Sequence, residues 1–464
     1  MPRRTTFATT FATTFATTLA TTFATTLATT LATFLLFTGF ASAAEPGWVA
    51  SWTAALHGPY PSGNAVGQPD LHFAFPEPSA NDQTFRLIIR PDLLARRVRL
   101  RFSNVFGAQT VSFDNVFVGL QESGPSIVRS TNRRVTFAGG YVMNIPAGES
   151  VYSDAIDLDF LQNIASWETL GRKLAVSFHV VAESGPMTWH AKAMATSYLT
   201  APKSGAHSRE ESGDAFLYST TSWYFLDAVE VFAPAGTQVV AAFGDSITDG
   251  TGSTLNGDDR WPDALARRLH AEYGTRLAVV NLGIGGNRVA GPAYSAAKPV
   301  PGGPTAVERL EREVLSVAGL SHVIWLEGIN DFSQGGPDMT PETVIAGYKD
   351  VVGRLHARGI KVMGATVTSS LHSTNAAAGS ASVDQRRKAV NEFIRHGGLF
   401  DAVADFDAAT VDPVSGGLRP EFRPDSALGG PGDGLHPNRA GYQAMANSVD
   451  LEWFAPKAEA ATKK

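Results

Sequence analysis

The sequence predicts two folded parts, an all-β sandwich of jelly-roll type followed by an α/β part built on a parallel sheet. Apolar and polar residues alternate with a period of two in the first part, as in residues 97–102 and 174–180. This alternation is typical of antiparallel strands with one face in water. In the second part, short apolar runs alternate with helical patterns, which favours a parallel sheet with helices on both faces. The stretch Ala233-Pro-Ala-Gly236 separates the two patterns and is the predicted junction.

The composition narrows the class of protein. Of the 464 residues, 18% are charged and 44% are hydrophobic, as in globular proteins. The net charge is −6 and there is no long basic run, which argues against nucleic acid as a partner. The chain has no cysteine, which excludes disulfides, thiolate metal sites and a cysteine nucleophile. No spaced set of His, Asp and Glu points to a metal site, and we expect neither a metal nor another cofactor.

Residues 1–43 are predicted to be a cleavable targeting segment. They begin with an arginine pair, which leaves a twin-arginine signal open, and repeat a Phe/Leu-Ala-Thr-Thr unit over residues 7–33. An apolar core over residues 34–40 and small residues from Ala41 to Ala43 complete the segment. The repeat is either a tandem expansion or a sign that the true start lies downstream. We expect a secreted or periplasmic protein without a stable membrane anchor, because no other run reaches the roughly 18 apolar residues of a membrane span.

The first part, residues 45–235, is predicted to consist of strands separated by turn signals. The strand candidates are residues 48–55, 85–89, 97–102, 111–120, 151–158, 174–180 and 223–232. Five aromatic residues leave a carbohydrate-stacking surface open: Trp52, Tyr60, Trp167, Trp189 and Trp223. Aromatic residues in strands more often belong to the core or to cross-strand pairs, which is the preferred interpretation. We interpret His179 and His190 as hydrogen-bonded structural histidines.

The second part, residues 237–455, alternates strands with helices. The strand candidates are residues 239–243, 277–282, 322–326, 361–367 and 402–406. The helical patterns cover residues 261–273, 307–317, 341–358 and 383–396, and a last helix carries the apolar stripe Tyr442, Met445, Ala446 and Val449. Residues 456–464 are predicted to be a disordered tail.

Ser246 is placed where the first strand of this second part ends. It lies in residues 243–250, Phe-Gly-Asp-Ser-Ile-Thr-Asp-Gly, where Gly244 allows a tight turn. Ligands bind at the carboxyl ends of the strands in an open α/β sheet, so this position favours a nucleophile. The alternative is a helix cap, because the Asp, Ser and Thr residues of the stretch all suit that role.

A histidine further along the chain can activate this serine. A serine hydroxyl becomes a good nucleophile only when a base takes its proton, and a base that works near neutral pH points to histidine. Of the eleven histidines, His436 is preferred because Asp433 stands three residues earlier. That carboxylate can accept from one ring nitrogen while the other faces Ser246, as in any Ser-His-Asp triad. The alternative is that Asp433 and Asn438 only form turn and helix-cap contacts on either side of Pro437.

Three more stretches follow the serine in a recognisable order. Residues 281–287 (Asn-Leu-Gly-Ile-Gly-Gly-Asn) and residues 328–331 (Gly-Ile-Asn-Asp) each follow a predicted strand, and residues 433–436 (Asp-Gly-Leu-His) open the last helix. With the serine stretch, they resemble the four blocks of the SGNH, or GDSL-type, hydrolase family over residues 239–451. Ile247 replaces the leucine of the family name, a change that keeps the side-chain volume.

The resemblance implies a flavodoxin-like α/β/α hydrolase domain with an oxyanion hole. Acyl transfer needs hydrogen-bond donors aimed at the developing negative charge. The resemblance assigns this role to the backbone N–H of Ser246, the backbone N–H of Gly286 and the side-chain amide of Asn330. Gly283 and Gly285 remain alternatives to Gly286.

The functional prediction follows from these residues and from the first part. Residues 48–52, 101–104 and 222–224 resemble the β-rich domain that precedes the hydrolase in one secreted subgroup of the family. We expect a secreted carboxylic ester hydrolase that removes acetyl or other short acyl groups from carbohydrate or similar polar esters through an acyl-enzyme. The alternatives are a lipolytic esterase or lysophospholipase and, less favoured, a non-catalytic surface-binding protein. The expected partners are small-molecule or polysaccharide ester substrates.

Overall fold

The structure is a computed structural model that describes residues 45–67, 71–162, 164–336 and 338–455. Contacts between Cα atoms place the chain from Pro46 onward in one compact unit. The predicted targeting segment and the predicted tail lie outside the described residues. Within the part that the structure describes, no helix is both long enough and apolar enough to cross a membrane.

The first region is built from antiparallel strands. They are β1 (Gly47–Thr53), β2 (Gln83–Ile89), β3 (Arg97–Ser103), β4 (Val111–Ser123), β5 (Ser126–Ile127), β6 (Arg133–Arg134), β7 (Val142–Ile145), β8 (Ser150–Tyr152), β9 (Ile156–Asp157), β10 (Leu174–Val180), β11 (Trp189–His190), β12 (Ser197–Leu199), β13 (Tyr218–Thr220), β14 (Trp223–Tyr224) and β15 (Leu226–Ala233). The two main sheets have the strand orders β1-β15-β3-β8 and β13-β12-β2-β10-β4-β5. Strand β9 pairs with β3, strands β6 and β7 pair with β4, and β11 pairs with β14.

The two main sheets face each other through an aromatic core. Phe102 on β3 packs edge-on against Phe178 on β10, with ring centroids 5.3 Å apart. Phe113 on β4 packs in the same way against Phe225, beside β15, at 5.1 Å. All four side chains are fully buried. These contacts between opposite sheets confirm the predicted β-sandwich.

Two predicted strands of this region are interrupted. The predicted strand over residues 151–158 is two short strands, β8 and β9. Both pair with β3, but the register shifts by one residue between the Arg101–Tyr152 and Val98–Ile156 pairs. In this interval the Asp154 carboxylate accepts the N–H of Gly139 at 2.8 Å. The predicted strand over residues 223–232 is likewise divided into β14 and β15 at Phe225. Its φ of 60° is a left-handed conformation that a regular strand does not accommodate.

The aromatic residues of this region belong to the core. Trp52, Trp189 and Trp223 are at most 6% exposed, and Tyr60 is half-buried with its ring centroid 4.9 Å from that of Trp189. The three tryptophans therefore offer no free stacking face, and the interpretation as core aromatics is confirmed for them. The side chain of Trp167 lies outside the described part of the structure.

Parallel strands form the sheet of the second region. They are β16 (Gln238–Gly244), β17 (Leu277–Gly283), β18 (Leu320–Leu326), β19 (Lys361–Ala365) and β20 (Ala402–Ala404). Their order in the sheet is β17-β16-β18-β19-β20, which is the order 2-1-3-4-5 of flavodoxin-like sheets. This confirms the predicted flavodoxin-like α/β fold.

Helices cover both faces of this sheet. They are α1 (Ser246–Asp249), α2 (Trp261–Tyr273), α3 (Ala306–Arg309), α4 (Ile329–Gln334), α5 (Pro341–His356), α6 (Ala381–His396), α7 (Phe406–Thr410) and α8 (Arg439–Asn447). On one face, Val240 of β16 shares an apolar cluster with Leu265 of α2 and Met445 of α8. On the other face, Trp325 of β18 packs edge-on against Tyr348 of α5, with ring centroids 4.9 Å apart.

Four predicted elements of this region end earlier than expected. The predicted strand over residues 361–367 ends at Ala365, and the predicted helix over residues 341–358 ends at His356. The predicted helix over residues 307–317 is α-helical only to Arg309, and a π-helix follows over Leu310–Val314. The predicted strand over residues 402–406 is cut short at β20, because the Asp405 side chain caps α7. For this strand, the hydrogen bond from the Ala408 N–H to the Asp405 side chain marks where the element ends.

Hydrogen bonds connect the two predicted parts directly. The Thr53 hydroxyl donates to the Asn281 carbonyl oxygen at 2.9 Å, and the Ala50 N–H donates to the Ala318 carbonyl oxygen at 2.9 Å. Buried residues of both parts belong to one hydrophobic cluster. The domain boundary at residues 235–237 stays a prediction, since contacts cross it from the first strand onward.

Candidate active site

The serine stretch lies at the carboxyl end of β16. Ser246 is the first residue of α1 and is 6% exposed. Asp245 caps this helix by accepting the N–H of Ile247 at 3.0 Å, so the Ser246 hydroxyl is free for another contact. A Cβ at Gly244 would lie 2.2 Å from the carbonyl oxygen of Leu326, and only glycine allows this close approach. The cap and the tight turn together present Ser246 at the edge of the sheet where ligands bind.

Ser246, His436 and Asp433 form a hydrogen-bonded relay. Ser246 Oγ is 2.8 Å from His436 Nε2, and His436 Nδ1 is 2.6 Å from Asp433 Oδ2. Asp433 Oδ1 accepts the N–H groups of Leu435 and His436, each at 2.8 Å. Burial of the Asp433 carboxyl raises its pKa, but the hydrogen bonds and charge of His436 outweigh burial and hold this pKa well below its usual range. The carboxylate therefore stays ionised beside the imidazole.

The turn and cap contacts of the alternative interpretation are also present. Asn438 Oδ1 accepts the N–H groups of Ala440 at 2.9 Å and Gly441 at 3.1 Å, which caps α8. Asp433 serves both purposes because its Oδ1 binds the turn amides while its Oδ2 faces the imidazole of His436. The structural contacts hold the relay in place and do not compete with it.

The N–H groups of the glycine stretch are used in different ways. The N–H of Gly283 donates to Asn281 Oδ1 at 2.8 Å, and the N–H of Gly285 donates to Asp249 Oδ2 at 2.9 Å. Gly286 adopts a φ of 85°, and its N–H meets no acceptor among the described residues. Gly286 is therefore the member of the stretch whose donor is left for a ligand, which favours it over the two alternatives.

Two further donors remain available near the serine. The N–H of Ser246 opens α1 and finds no acceptor in the described ranges of the chain. Asn330 donates from Nδ2 to the Asn287 carbonyl oxygen at 2.9 Å and accepts from Gln334 Nε2 at 3.0 Å. An amide nitrogen carries two hydrogens, so one N–H of Asn330 has no acceptor among the residues described. These donors sit at the ends of neighbouring strands.

A buried arginine that the sequence reasoning missed holds the strand ends together. Arg309 is fully buried and donates to the carbonyl oxygens of Gly244 and Leu282, each at 2.8 Å. It also donates to Asn287 Oδ1 at 2.8 Å and pairs with Glu313 at 2.8 Å. The i,i+4 spacing of an arginine and a glutamate inside an apolar helical pattern was a usable signal for such a pair.

Replacing Arg309 with methionine is expected to destabilise the protein by about 3–5 kcal/mol, the usual cost of breaking a buried ion pair from one side. The variant leaves Glu313 and two strand-end carbonyls without this donor. Urea unfolding followed by circular dichroism measures the change. The matched control is Arg358→Met, since Arg358 is 60% exposed and pairs only loosely with Glu311 at 3.7 Å. Equal stability of the two variants would contradict this role.

A buried lysine of the β-sandwich region also lies beside the candidate active site. Lys192 is 5% exposed and donates to the Thr251 hydroxyl, beside the serine helix. Burial lowers the pKa of Lys192, while the carboxylates of Asp249, Asp433 and Asp245 oppose that shift. No local sequence pattern marks this lysine, so the sequence reasoning could not find it.

Two more residues of the β-sandwich region reach the candidate site. Asn64, in the loop after β1, donates from Nδ2 to the Gly285 carbonyl oxygen at 3.1 Å. His190 Nε2 lies 3.1 Å from Asp249 Oδ1. His190 and His179 are both hydrogen-bonded, as predicted, and His179 Nδ1 bonds a carboxylate of its own sheet at 2.7 Å. The prediction gave no partner for His190, because the contact joins distant parts of the chain.

Residues 242–444 match the family model of the GDSL-like Lipase/Acylhydrolase family. The matched segment contains every residue predicted for the site: Ser246, Gly286, Asn330, Asp433 and His436. No curated protein matches the chain in sequence.

Solved structures of esterases and lipases are similar to part of the chain. A GDSL-like lipase from Bacteroides thetaiotaomicron is 16% identical, over 47% of this chain and 89% of its own, with a TM-score of 0.34. The carbohydrate acetylesterase Est24 from Sinorhizobium meliloti is 14% identical, over 47% of this chain and 98% of its own, with a TM-score of 0.35. An aryl esterase from M. smegmatis is 16% identical, over 47% of this chain and 98% of its own, with a TM-score of 0.35. At these values the likeness carries no information on substrate.

Proposed function

We propose that this chain, a carboxylic ester hydrolase with a GDSL-like lipase/acylhydrolase domain over residues 242–444, removes acetyl or other short acyl groups from carbohydrate or similar polar esters. The observation that carries the mechanism is the relay from Ser246 to His436 at 2.8 Å and from His436 to Asp433 at 2.6 Å. A nucleophile, a base and an orienting carboxylate are the parts that acyl transfer by a serine enzyme requires.

In the first half of the proposed reaction, Ser246 Oγ attacks the ester carbonyl carbon while its proton passes to His436 Nε2. The carbonyl oxygen becomes an oxyanion, which the N–H groups of Ser246, Gly286 and Asn330 stabilise. The carbon–oxygen bond to the alcohol then breaks, and the imidazolium returns its proton to the leaving oxygen. The products of this half are the free alcohol and an acyl-enzyme on Ser246.

In the second half, a water molecule takes the place of the alcohol. It gives one proton to His436 Nε2 and attacks the acyl carbon, which forms a second oxyanion in the same site. The bond to Ser246 Oγ breaks, the imidazolium returns the proton to that oxygen, and the carboxylic acid leaves. Asp433 stabilises the imidazolium in both halves because its charge and hydrogen bond favour the protonated ring.

The surroundings of the relay support a short acyl group. Three segments that follow strands of the parallel sheet hold few large apolar side chains. Residues 251–259 are small and polar, residues 291–304 are rich in Gly, Pro and Ala, and residues 369–382 are nearly all small or polar apart from Leu371. In the structure Gly302 packs against Gly286, and the Ser373 hydroxyl donates to the Asp433 carbonyl oxygen at 2.8 Å. The β-sandwich region adds an amide and an ammonium group here. A long acyl chain needs an apolar wall, worth about 0.8 kcal/mol per buried CH₂, and these contacts supply polar groups instead.

Acetyl and butyryl esters are expected to be hydrolysed with higher kcat/KM than decanoyl and longer esters. The three segments around the relay hold few large apolar side chains, so extra methylenes gain little buried apolar area. The measurement is kcat/KM for p-nitrophenyl esters from two to sixteen carbons, each below its critical micelle concentration. Ser246→Ala serves as the blank for spontaneous hydrolysis. An optimum at ten or more carbons would remove the carbohydrate-esterase proposal and promote the lipolytic esterase alternative.

The same proposal places the enzyme outside the cytoplasm, exported by residues 1–43 and acting on a polymeric or small ester there. The support is the charged start, apolar core and small-residue end of that segment. Expression with the full N-terminus in a bacterial host, followed by intact mass measurement of the exported fraction, tests it. We expect a mature chain that begins at Ala44 or Glu45. Retention of the whole segment in the cytoplasm would contradict export.

A further inference from the structure

The peptide between Gly285 and Gly286 links the β-sandwich region to the proposed oxyanion hole. Its carbonyl oxygen, on Gly285, accepts a hydrogen bond from Asn64 Nδ2 at 3.1 Å. Its N–H, on Gly286, is a proposed oxyanion donor and meets no acceptor among the residues that the structure describes. A trans peptide points its C=O and its N–H in opposite directions. The hydrogen bond from Asn64 on one side therefore sets the direction of the oxyanion donor on the other.

A peptide between two glycines needs a contact from outside the stretch to fix its orientation. Gly286 has a φ of 85°. Glycine adopts positive φ about as readily as negative φ, so the backbone alone does not fix the orientation of this peptide. A Cβ at Gly286 would lie 2.9 Å from Asn64 Nδ2. The amide of Asn64 thus occupies the space that a side chain at residue 286 would fill.

A second hold acts on the other side of Gly285. Its N–H donates to Asp249 Oδ2 at 2.9 Å, and Asp249 is the last residue of the helix that begins at Ser246. The other oxygen of this carboxylate, Oδ1, lies 3.1 Å from His190 Nε2 on β11. His190 and Asp249 are only 3% and 2% exposed. One buried carboxylate therefore fixes the glycine stretch to the nucleophile's helix, and a histidine of the β-sandwich fixes the carboxylate.

The surroundings of His190 show that it acts as a donor at both ring nitrogens. Nδ1 lies 2.7 Å from the Ala55 carbonyl oxygen. Nε2 faces the Asp249 carboxylate and the Lys192 carbonyl oxygen, each at 3.1 Å. Burial lowers the pKa of His190, but Asp249 and these acceptors outweigh burial and raise it. With both ring nitrogens facing oxygen acceptors, His190 holds the Asp249 carboxyl in place through Nε2.

We propose that the β-sandwich region orients the oxyanion hole, with Asn64 holding the Gly285–Gly286 peptide directly and His190 holding it through Asp249. This inference rests on the proposed serine mechanism and adds positioning residues to it. Asn64 and His190 touch the peptide and the carboxylate, not the reacting atoms. The β-sandwich is then a working part of the active site, in addition to any part it plays in binding substrate.

Asn64→Ala is the first test, because Asn64 is an exposed loop residue whose loss leaves the core intact. We expect kcat for p-nitrophenyl acetate to fall about tenfold or more. One oxyanion donor raises kcat by roughly 10²–10³, and a donor that points in the wrong direction loses part of that factor. KM should stay within about twofold, because the oxyanion exists only in the transition state. The matched control is Asn144→Ala, an exposed asparagine of the same sandwich whose side chain accepts from the Ser112 hydroxyl.

His190→Leu and His190→Gln form the second test. Leucine removes the donor to Asp249, while glutamine can still donate to that carboxylate from its amide. We expect leucine to lower kcat by about tenfold or more without raising KM, and glutamine to recover part of that loss. The inhibition constant of a trifluoromethyl ketone, which forms an oxyanion on the serine, should weaken by the same factor as kcat/KM in each variant. A purely structural role would lower the unfolding temperature but would not produce this proportionality.

The outcomes separate this inference from the proposed function. If the wild type hydrolyses no ester, or if Ser246→Ala remains active, the serine mechanism itself fails. If the wild type is active and Ser246→Ala is not, but Asn64→Ala and His190→Leu keep kcat within about twofold of wild type, the orienting role is overturned alone. A change in KM without a change in kcat or in ketone affinity also overturns it.

Discussion

Replacing Ser246 with alanine is expected to abolish ester hydrolysis and to leave the fold intact. Its Oγ is the atom that faces His436 Nε2 at 2.8 Å, and alanine removes that oxygen with little change in volume. Loss of a triad nucleophile lowers kcat by roughly 10⁴-fold or more. The activity that remains comes from the oxyanion hole and from substrate binding alone. Hydrolysis of p-nitrophenyl acetate by the purified variant measures the loss, and circular dichroism verifies the fold.

His436→Ala should lose nearly as much activity, because the members of a triad act as a unit. The matched control is Ser321→Ala, whose hydroxyl bonds the Val239 carbonyl oxygen at 3.1 Å, at the opposite end of β16 from Ser246. A serine-directed phosphonate should add a single label, on Ser246, as seen by mass spectrometry. Activity above a few per cent in Ser246→Ala would show that another residue is the nucleophile.

Ser246 and the two other proposed oxyanion donors could be anticipated at one edge of the sheet because they follow strands that neighbour each other. Strand β16 lies between β17 and β18, so the residues just after these strands meet at one edge of the sheet. Ser246 follows the first strand, Gly286 the second and Asn330 the third. The resemblance to the hydrolase family named Gly286 and Asn330, and the order of the parallel strands brings them to the same edge of the sheet as Ser246. Asp433 and His436 come just before the last helix and were predicted from their spacing and from the resemblance.

The hold on the glycine stretch could not be anticipated in this way. Asn64 and Gly285 are 221 residues apart, and His190 and Asp249 are 59 residues apart. Neither Asn64 nor His190 stands in a local pattern that differs from other loop asparagines or buried histidines. Only the packing of the β-sandwich against the parallel sheet brings these side chains to the serine helix.

The ends of individual helices and strands also divide into those that the sequence predicted and those that it did not. Alternation and helical periodicity predicted α2 within its observed bounds, Trp261–Tyr273. They did not predict the change to a π-helix after Arg309, which has donors bound to two strands and to Asn287. Nor did they predict the left-handed turn at Phe225, whose ring is buried between the sheets. Tertiary contacts decide these positions, and a single sequence does not display them.

Asn330→Ala is expected to lower kcat by about 10²–10³, the usual loss of one oxyanion donor, while KM changes by less than about threefold. The Asn330 amide has one N–H left after it donates to the Asn287 carbonyl oxygen at 2.9 Å. That second N–H gains a strong acceptor only when the ester oxygen becomes negative, so its loss raises the barrier more than it weakens substrate binding. Steady-state kinetics with p-nitrophenyl acetate measure both constants, and Asn144→Ala again is the control.

The same variant separates a transition-state role from a structural one. Alanine also leaves the Asn287 carbonyl without its donor, and that loop is tied to Arg309 through Asn287 Oδ1 at 2.8 Å. Thermal unfolding of Asn330→Ala therefore has to accompany the kinetics. A stable variant with lower kcat and unchanged KM places the amide at the oxyanion. A rise in KM alone would make Asn330 a ground-state binding residue, and the oxyanion would then depend on the backbone donors of Ser246 and Gly286.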